Sequence, residues 1–169
     1  MQVDIILEPD LTPAQVAEIA VAAENYGFRT LWHSNYHQNP DAFVGLVPAA
    51  LATRKIKLGV LAVSPYEMHP LKIANALLTL NEISNGRAIA AIGGGGSVMS
   101  AIGIKMDPKA QRMLRSVREA VEMVKAVTSG KFVQGYPGEL FKLTRPLKSG
   151  WAKSPKPGVF TCSTGPKML

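Results

Sequence analysis

Residues 3–15, VDIILEPDLTPAQ, hold an apolar run, a turn and the opening of a helix. Val3 to Leu7 suits a buried strand. Thr12 offers an N-cap, Pro13 takes the first helical position, and Gln15 stands where it completes a capping box. Val16, Ile19, Ala20 and Ala23 then recur at helical spacing, and Gly27 follows where a C-terminal glycine belongs.

The rest of the chain repeats this unit. Phe28 to Trp32 reads as a second strand, and a polar loop from His33 to Asn39 leads into a helix from about Asp41 to Thr53. Pro48 should kink that helix or start a fresh turn, because proline removes a backbone donor and crowds the turn before it. Ile56 to Val63 is a third apolar run, followed by a helix from about Pro70 to Ile83. Ala88 to Ile92 is a fourth, ending in Gly93 to Gly96. Asp107 and Pro108 supply a cap and first position for a helix through Val127, with Met113, Val117, Val121 and Val124 as its inner stripe. After a stretch rich in Gly and Pro, Val159 to Cys162 reads as a fifth strand.

Strands without polar alternation, each followed by a helix, mean a parallel sheet covered by helices. A doubly wound sheet usually carries G-x-G-x-x-G after its first strand and an acid about twenty residues later. Here Glu8, Pro9 and Asp10 follow that strand, and the glycines wait until the fourth. The predicted fold is therefore α/β, a parallel-stranded (β/α) barrel rather than a doubly wound sheet. A complete barrel takes about 250 residues, so residues 1–169 are either one smaller domain or a piece of a larger one.

Composition narrows the function classes. The chain is 47% hydrophobic and 18% charged, the balance of a folded domain. No apolar run reaches the roughly eighteen residues of a membrane span, and the N-terminus lacks the basic start of a signal peptide. The single Cys162 allows no internal disulfide, which fits a reducing cytoplasm. Residues 1–104 hold six basic and eight acidic side chains, whereas 105–169 hold thirteen and four. Either this basic half faces an acidic partner, or it is the solvated outside of helices and loops. The three-residue spacing of Arg112, Arg115 and Arg118 favours a wet helix face over a nucleic-acid surface.

Four segments together resemble the luciferase-like flavin oxidoreductases. They are Tyr26-Gly27-Phe28-Arg29-Thr30-Leu31-Trp32, the passage from Ala49 to Gly59, His69-Pro70, and Thr79 to Ala88 with its Ser84-Asn85-Gly86-Arg87. Ser64 to Pro70 and Ser97 to Lys105 are similar to the branch that uses the deazaflavin coenzyme F420 and includes methylenetetrahydromethanopterin reductases. The resemblance implies hydride transfer between F420 and a small organic substrate of the methylene-tetrahydropterin kind, with neither metal nor protein nucleophile; the alternative coenzyme is FMN, whose reduced form activates oxygen in the family's monooxygenases. Ser163 to Leu169 resembles the end of the family's strand five and the start of the next helix, which implies the N-terminal half of a (β/α)8 TIM barrel: residues 1–169 as a single incomplete domain, strands one to five, with the C-terminal half absent.

Chemistry in a barrel projects from the C-terminal ends of strands. The candidates there are Glu8, His33 to His37, Ala62 to His69, and Gly93 to Ser97. The family carries an acid and then a histidine in the second group, where this chain has Asn35 and Tyr36. An amide cannot exchange a proton as a carboxylate does. Asn35 could hydrogen-bond a ring carbonyl beside Tyr36, with His33 or His37 supplying proton chemistry; the other reading makes all of these ordinary loop residues. His33 and His37 lack the acid of H-E-x-x-H and a third ligand, so no metal is expected.

For the coenzyme, the resemblance implies a bulge with a non-proline cis peptide on strand three, at Val60 and Leu61 with a register slip of one or two that brings in Ala62. Gly93, Gly94, Gly95 and Gly96, with Ser97, would let a planar ring or phosphate approach the backbone without meeting a Cβ. Relatives often carry an acid where Gly96 stands. Two other functions remain open: an FMN-dependent luciferase-like monooxygenase, and an inactive fragment or half-barrel subunit that self-associates or completes a barrel with a partner through its open edges. The substrate class is a small molecule, with neither nucleic acid nor membrane as partner.

Overall fold

The computed structural model describes residues 1–104 and 112–163. β1 (Asp4–Leu7) leads into α1 (Pro13–Asn25), where Thr12 and Gln15 form the expected capping box. β2 spans Thr30–Ser34, two residues later than the sequence reading. The shift has a ladder cause: β1 and β3 both offer partners up to this level, Leu7 opposite His33, and Val60 and Leu61 opposite His33 and Ser34. His33 therefore lies within a strand rather than in the following loop.

The predicted helix from Asp41 to Thr53 is two helices, α2 (Ala42–Gly45) and α3 (Val47–Ala52), with Pro48 in the first turn of the second. Proline starts a fresh turn there, where its missing N–H costs nothing. β3 (Lys57–Val63), α4 (Pro70–Ile83) and β4 (Ala88–Gly93) follow, then α5 (Gly96–Ala101) and α6 (Met113–Val127). The cap expected at Asp107 and Pro108 lies outside the described residues. Val117, Val121 and Val124 form the buried stripe of α6, Met113 at its start is half-buried, and Arg112, Arg115 and Arg118 are exposed.

Between α6 and the last strand the chain makes a small antiparallel pair, β5 (Tyr136–Pro137) with β6 (Lys142–Leu143), which the sequence reading lacks. The Glu119 carboxylate, buried on α6, accepts the N–H groups of Glu139, Leu140 and Phe141 at 2.9–3.0 Å and holds this excursion to the helix. β7 (Gly158–Cys162) closes the sheet.

All five sheet strands are parallel, in the order β1-β2-β3-β4-β7, each beside its predecessor. Doubly wound sheets reverse direction partway; this one does not, as a barrel wall requires. One face packs on a layer in which α1 touches α3, α3 touches α4, and α4 touches α6. The other face is concave. Trp32 and Phe160 meet edge-on at 6.2 Å although β3 and β4 separate their strands. A flat sheet would set those strands about 14 Å apart, so curvature and long side chains together close the gap. Gly59 permits it: a Cβ there would lie 2.2 Å from the Trp32 ring.

The N-terminal ends of the strands are tied by two charged groups. Arg87 is buried and donates to the carbonyls of Ser84, Ala50, Thr53 and Ile56 and to Thr53 Oγ1. Glu24 accepts the N–H groups of Arg54, Lys55 and Ile56 at the entrance to β3. Burial alone would raise the Glu24 carboxyl, but these three donors hold it below its ordinary range.

Candidate active site

At the other end of the sheet, the loops after β2 and β3 and the helix after β4 surround a cavity of about 380 Å³. The β2 loop contributes Asn35, Tyr36, His37, Asn39 and Asp41. The β3 loop contributes Tyr66, Glu67 and Met68, and one side is closed by Val98 of α5 and Ile102 at its C-terminal cap. Two of the three expected catalytic residues, Asn35 and Tyr36, thus share one cavity. His33 does not join them. It is fully buried, its ring packs against α2 with Nε2 3.3 Å from where a Cβ of Gly45 would stand, and Nδ1 lies 2.8 Å from the Ser34 carbonyl. Strand alternation turns it toward the helices, away from the cavity.

Asn35 is fixed from two sides. Its N–H donates to the Leu61 carbonyl at 2.8 Å, and its Nδ2 donates to Glu67 Oε1 at 2.8 Å and more weakly to the Ala62 carbonyl at 3.4 Å. Glu67 Oε1 also accepts the Ser64 N–H at 2.7 Å. The β3 loop bends back on itself through the same residue, with the N–H groups of Glu67 and Met68 reaching the Ser64 carbonyl. Burial pushes the Glu67 carboxyl above its ordinary range and the Asp41 charge adds to this, while the Ser64 N–H, the Asn35 amide and His37 oppose it. Glu67 falls within the expected range Ala62 to His69, without a role of its own there. The one available signal was an ionisable side chain within a strand-end loop three residues after Ser64.

Of the expected coenzyme residues, Val60 is fully buried in the core, on the helix side. Leu61 is on the concave face with Trp32 and Phe160. The non-proline cis peptide is present at Leu61–Ala62, one residue beyond the expected pair, and the ladder with β4 shifts register between Val60 and Val63. Ala62 and Gly93 sit side by side at the strand ends, where a Cβ on Gly93 would come within 3.3 Å of that of Ala62.

The glycines have packing reasons of their own. A Cβ on Gly94 would lie 2.6 Å from Met113 Sδ, and one on Gly95 only 2.3 Å from Ser64 Cβ. Gly95 also takes a positive φ of 69° as it caps α5. Ser64 Oγ completes the join by donating to the Gly94 carbonyl at 3.3 Å. Gly96 and Ser97 are exposed in the first turn of α5. The run thus lets the tops of β3 and β4 approach each other, with Ala62 and Gly93, neither larger than a methyl, side by side at the strand ends and the Ala62 carbonyl within reach of the Asn35 amide.

The family model for the luciferase-like monooxygenase matches residues 2–169. The chain is 38% identical to the 5,10-methylenetetrahydromethanopterin reductase of Archaeoglobus fulgidus, covering all of this chain and 49% of that protein. It is 30% identical to the F420-dependent glucose-6-phosphate dehydrogenase of Kineococcus radiotolerans over 91% of this chain and 48% of the relative. The solved structure of the coenzyme F420-dependent tetrahydromethanopterin reductase from Methanopyrus kandleri superposes with a TM-score of 0.80 at 28% identity, covering 99% of this chain and 51% of that one. The chain spans about half the length of these relatives. With parallel strands in barrel order, helices on one face and a match along almost its whole length, the chain belongs to the luciferase-like monooxygenase family.

Proposed function

We propose that this chain forms one wall of the coenzyme pocket of an F420-dependent oxidoreductase that moves a hydride between the deazaflavin and a small substrate of the methylene-tetrahydropterin class. The observation that carries the reading is the small residues Ala62 and Gly93 at the strand ends, set beside the hydrogen-bonded pair Asn35 and Glu67. The similarity to F420-dependent reductases and dehydrogenases supports the choice of coenzyme.

When bound, the deazaflavin supplies the carbon that gives or takes the hydride. Ala62 and Gly93 would back the ring and keep water from that face. Asn35 would hold the polar edge, its own position set by the Leu61 carbonyl and by Glu67. Phosphate sites of such barrels commonly follow strands seven and eight, so the grip on a phosphorylated tail is assigned to strands beyond the five of this sheet, whether in the same chain or in a second copy.

The alternative is FMN in the same position, in a monooxygenase of the family. Coenzyme recovered from the protein expressed in cells that contain both should show the absorption and fluorescence of a deazaflavin. Recovery of FMN alone would reject the F420 reading.

A further inference from the structure

Glu67 answers a deficiency in the site. Asn35 stands where an acid is expected, and an amide offers no proton at neutral pH. It does, however, donate through Nδ2 to Glu67 Oε1, which also takes the Ser64 N–H. Two donors on one oxygen fix the carboxyl in place. Among the described residues Oε2 carries no hydrogen bond, and the side chain lines the cavity.

We propose that Glu67 is the proton-exchanging group of this site, with Oε1 pinned by Ser64 and Asn35 and Oε2 left to serve a bound molecule. The proposal rests on the oxidoreductase reading above. In the direction of reduction, the bound reduced deazaflavin would supply a hydride, and with it two electrons, to the methylene carbon of the substrate. As the new carbon–hydrogen bond forms, one carbon–nitrogen bond of that carbon would break and its electron pair pass to the nitrogen. That atom takes the proton from Glu67: the Oε2–H bond breaks, the new bond to hydrogen forms, and water reprotonates the carboxylate.

The surroundings suit a group that must hold a proton. Tyr36, His37 and Asp41 face it from the β2 loop, and Tyr66 is its neighbour in its own loop. His69 and Lys72 lie on its far side at the start of α4, whereas α5 and its C-terminal cap present only the apolar Val98 and Ile102. Half-burial and the Asp41 charge raise its pKa above the ordinary carboxylate range, while the Ser64 N–H, the Asn35 amide and His37 oppose this.

The test combines Glu67→Gln, Glu67→Asp and Asn35→Ala. Glutamine keeps an oxygen for both donors, so the loop should fold unchanged. In carbon-13 NMR, the carboxyl resonance missing from the Gln variant should titrate above the ordinary glutamate value, and Asn35→Ala, which removes a donor to the charged form, should move it further up. A resonance titrating at the ordinary value overturns the proposal whatever the coenzyme is. With F420, the Gln variant should bind within threefold of wild type by fluorescence yet transfer hydride to a methylene-tetrahydropterin about a hundredfold more slowly. It should also lose the fall in rate with rising pH that the acid imposes, and Glu67→Asp should restore part of both. A Gln variant with the wild-type rate and pH profile overturns the proposal. Wild-type protein that ignores F420 but binds FMN overturns the coenzyme reading alone, and the same rate comparison with FMN then decides the role of Glu67.

Discussion

Arg87 spends all its donors on the ends of three elements: α3 through Ala50 and Thr53, the entrance to β3 through Ile56, and the end of α4 through Ser84. Its partners are mostly carbonyls, so no carboxylate neutralises it directly, and burial lowers its pKa from the usual arginine range. Lysine has three donors on a point and could not reproduce this fan. Arg87→Met would leave four carbonyls short of a donor, at a cost of about 4 kcal/mol. Thermal unfolding should shift down by roughly 10 °C; an unchanged midpoint would show that water replaces the guanidinium freely. The cavity should keep its shape in this variant, because Arg87 lies at the opposite end of the strands. Glu24 belongs to the same end, and since its carboxyl is held low, its contribution to stability is present at neutral pH and lost as the pH falls through its folded value.

At the scale of elements, the concave side of the sheet depends on β3. Gly59 gives Trp32 the space to lie over the strand and reach Phe160. Gly59→Ala would drive a methyl into the indole and should cost about 2 kcal/mol, with Trp32 displaced toward solvent. A red-shifted tryptophan emission together with a lowered unfolding midpoint checks this; a spectrum like that of wild type would mean the ring does not rest there. The sequence made much of this level legible, because capping and proline effects are local: Thr12 with Gln15, and Pro48 at the start of α3, needed no tertiary knowledge. The end of β2 was not legible, since His33 and Ser34 extend the strand only through partners on β1 and β3. β5 and β6 are two residues each and rest on the buried Glu119, a long-range contact without periodicity. The site divides the same way. Asn35 could be placed by its strand end, whereas Glu67 acquires its meaning only when the β3 loop turns it back to Ser64 and Asn35.

At the scale of the molecule, five parallel strands wound in one sense form an arc with β1 and β7 at its edges. Among the described residues nothing covers the concave face beside those edges, where Ile6 is 59% and Phe160 51% exposed. Exposed apolar residues on a curved parallel sheet are what the inside of an incomplete barrel should show. The relatives are about twice as long, and the coenzyme reading assigns this chain the wall that meets the ring and the remaining strands the opposite wall. The amide resonances of the protein titrated with F420 test that division most directly. Shifts should concentrate at Asn35, Leu61, Ala62, Glu67 and Gly93 to Ser97, with Arg87 and the helix layer unmoved; shifts confined to the basic surface around β5 and β6, or none at all, would contradict it.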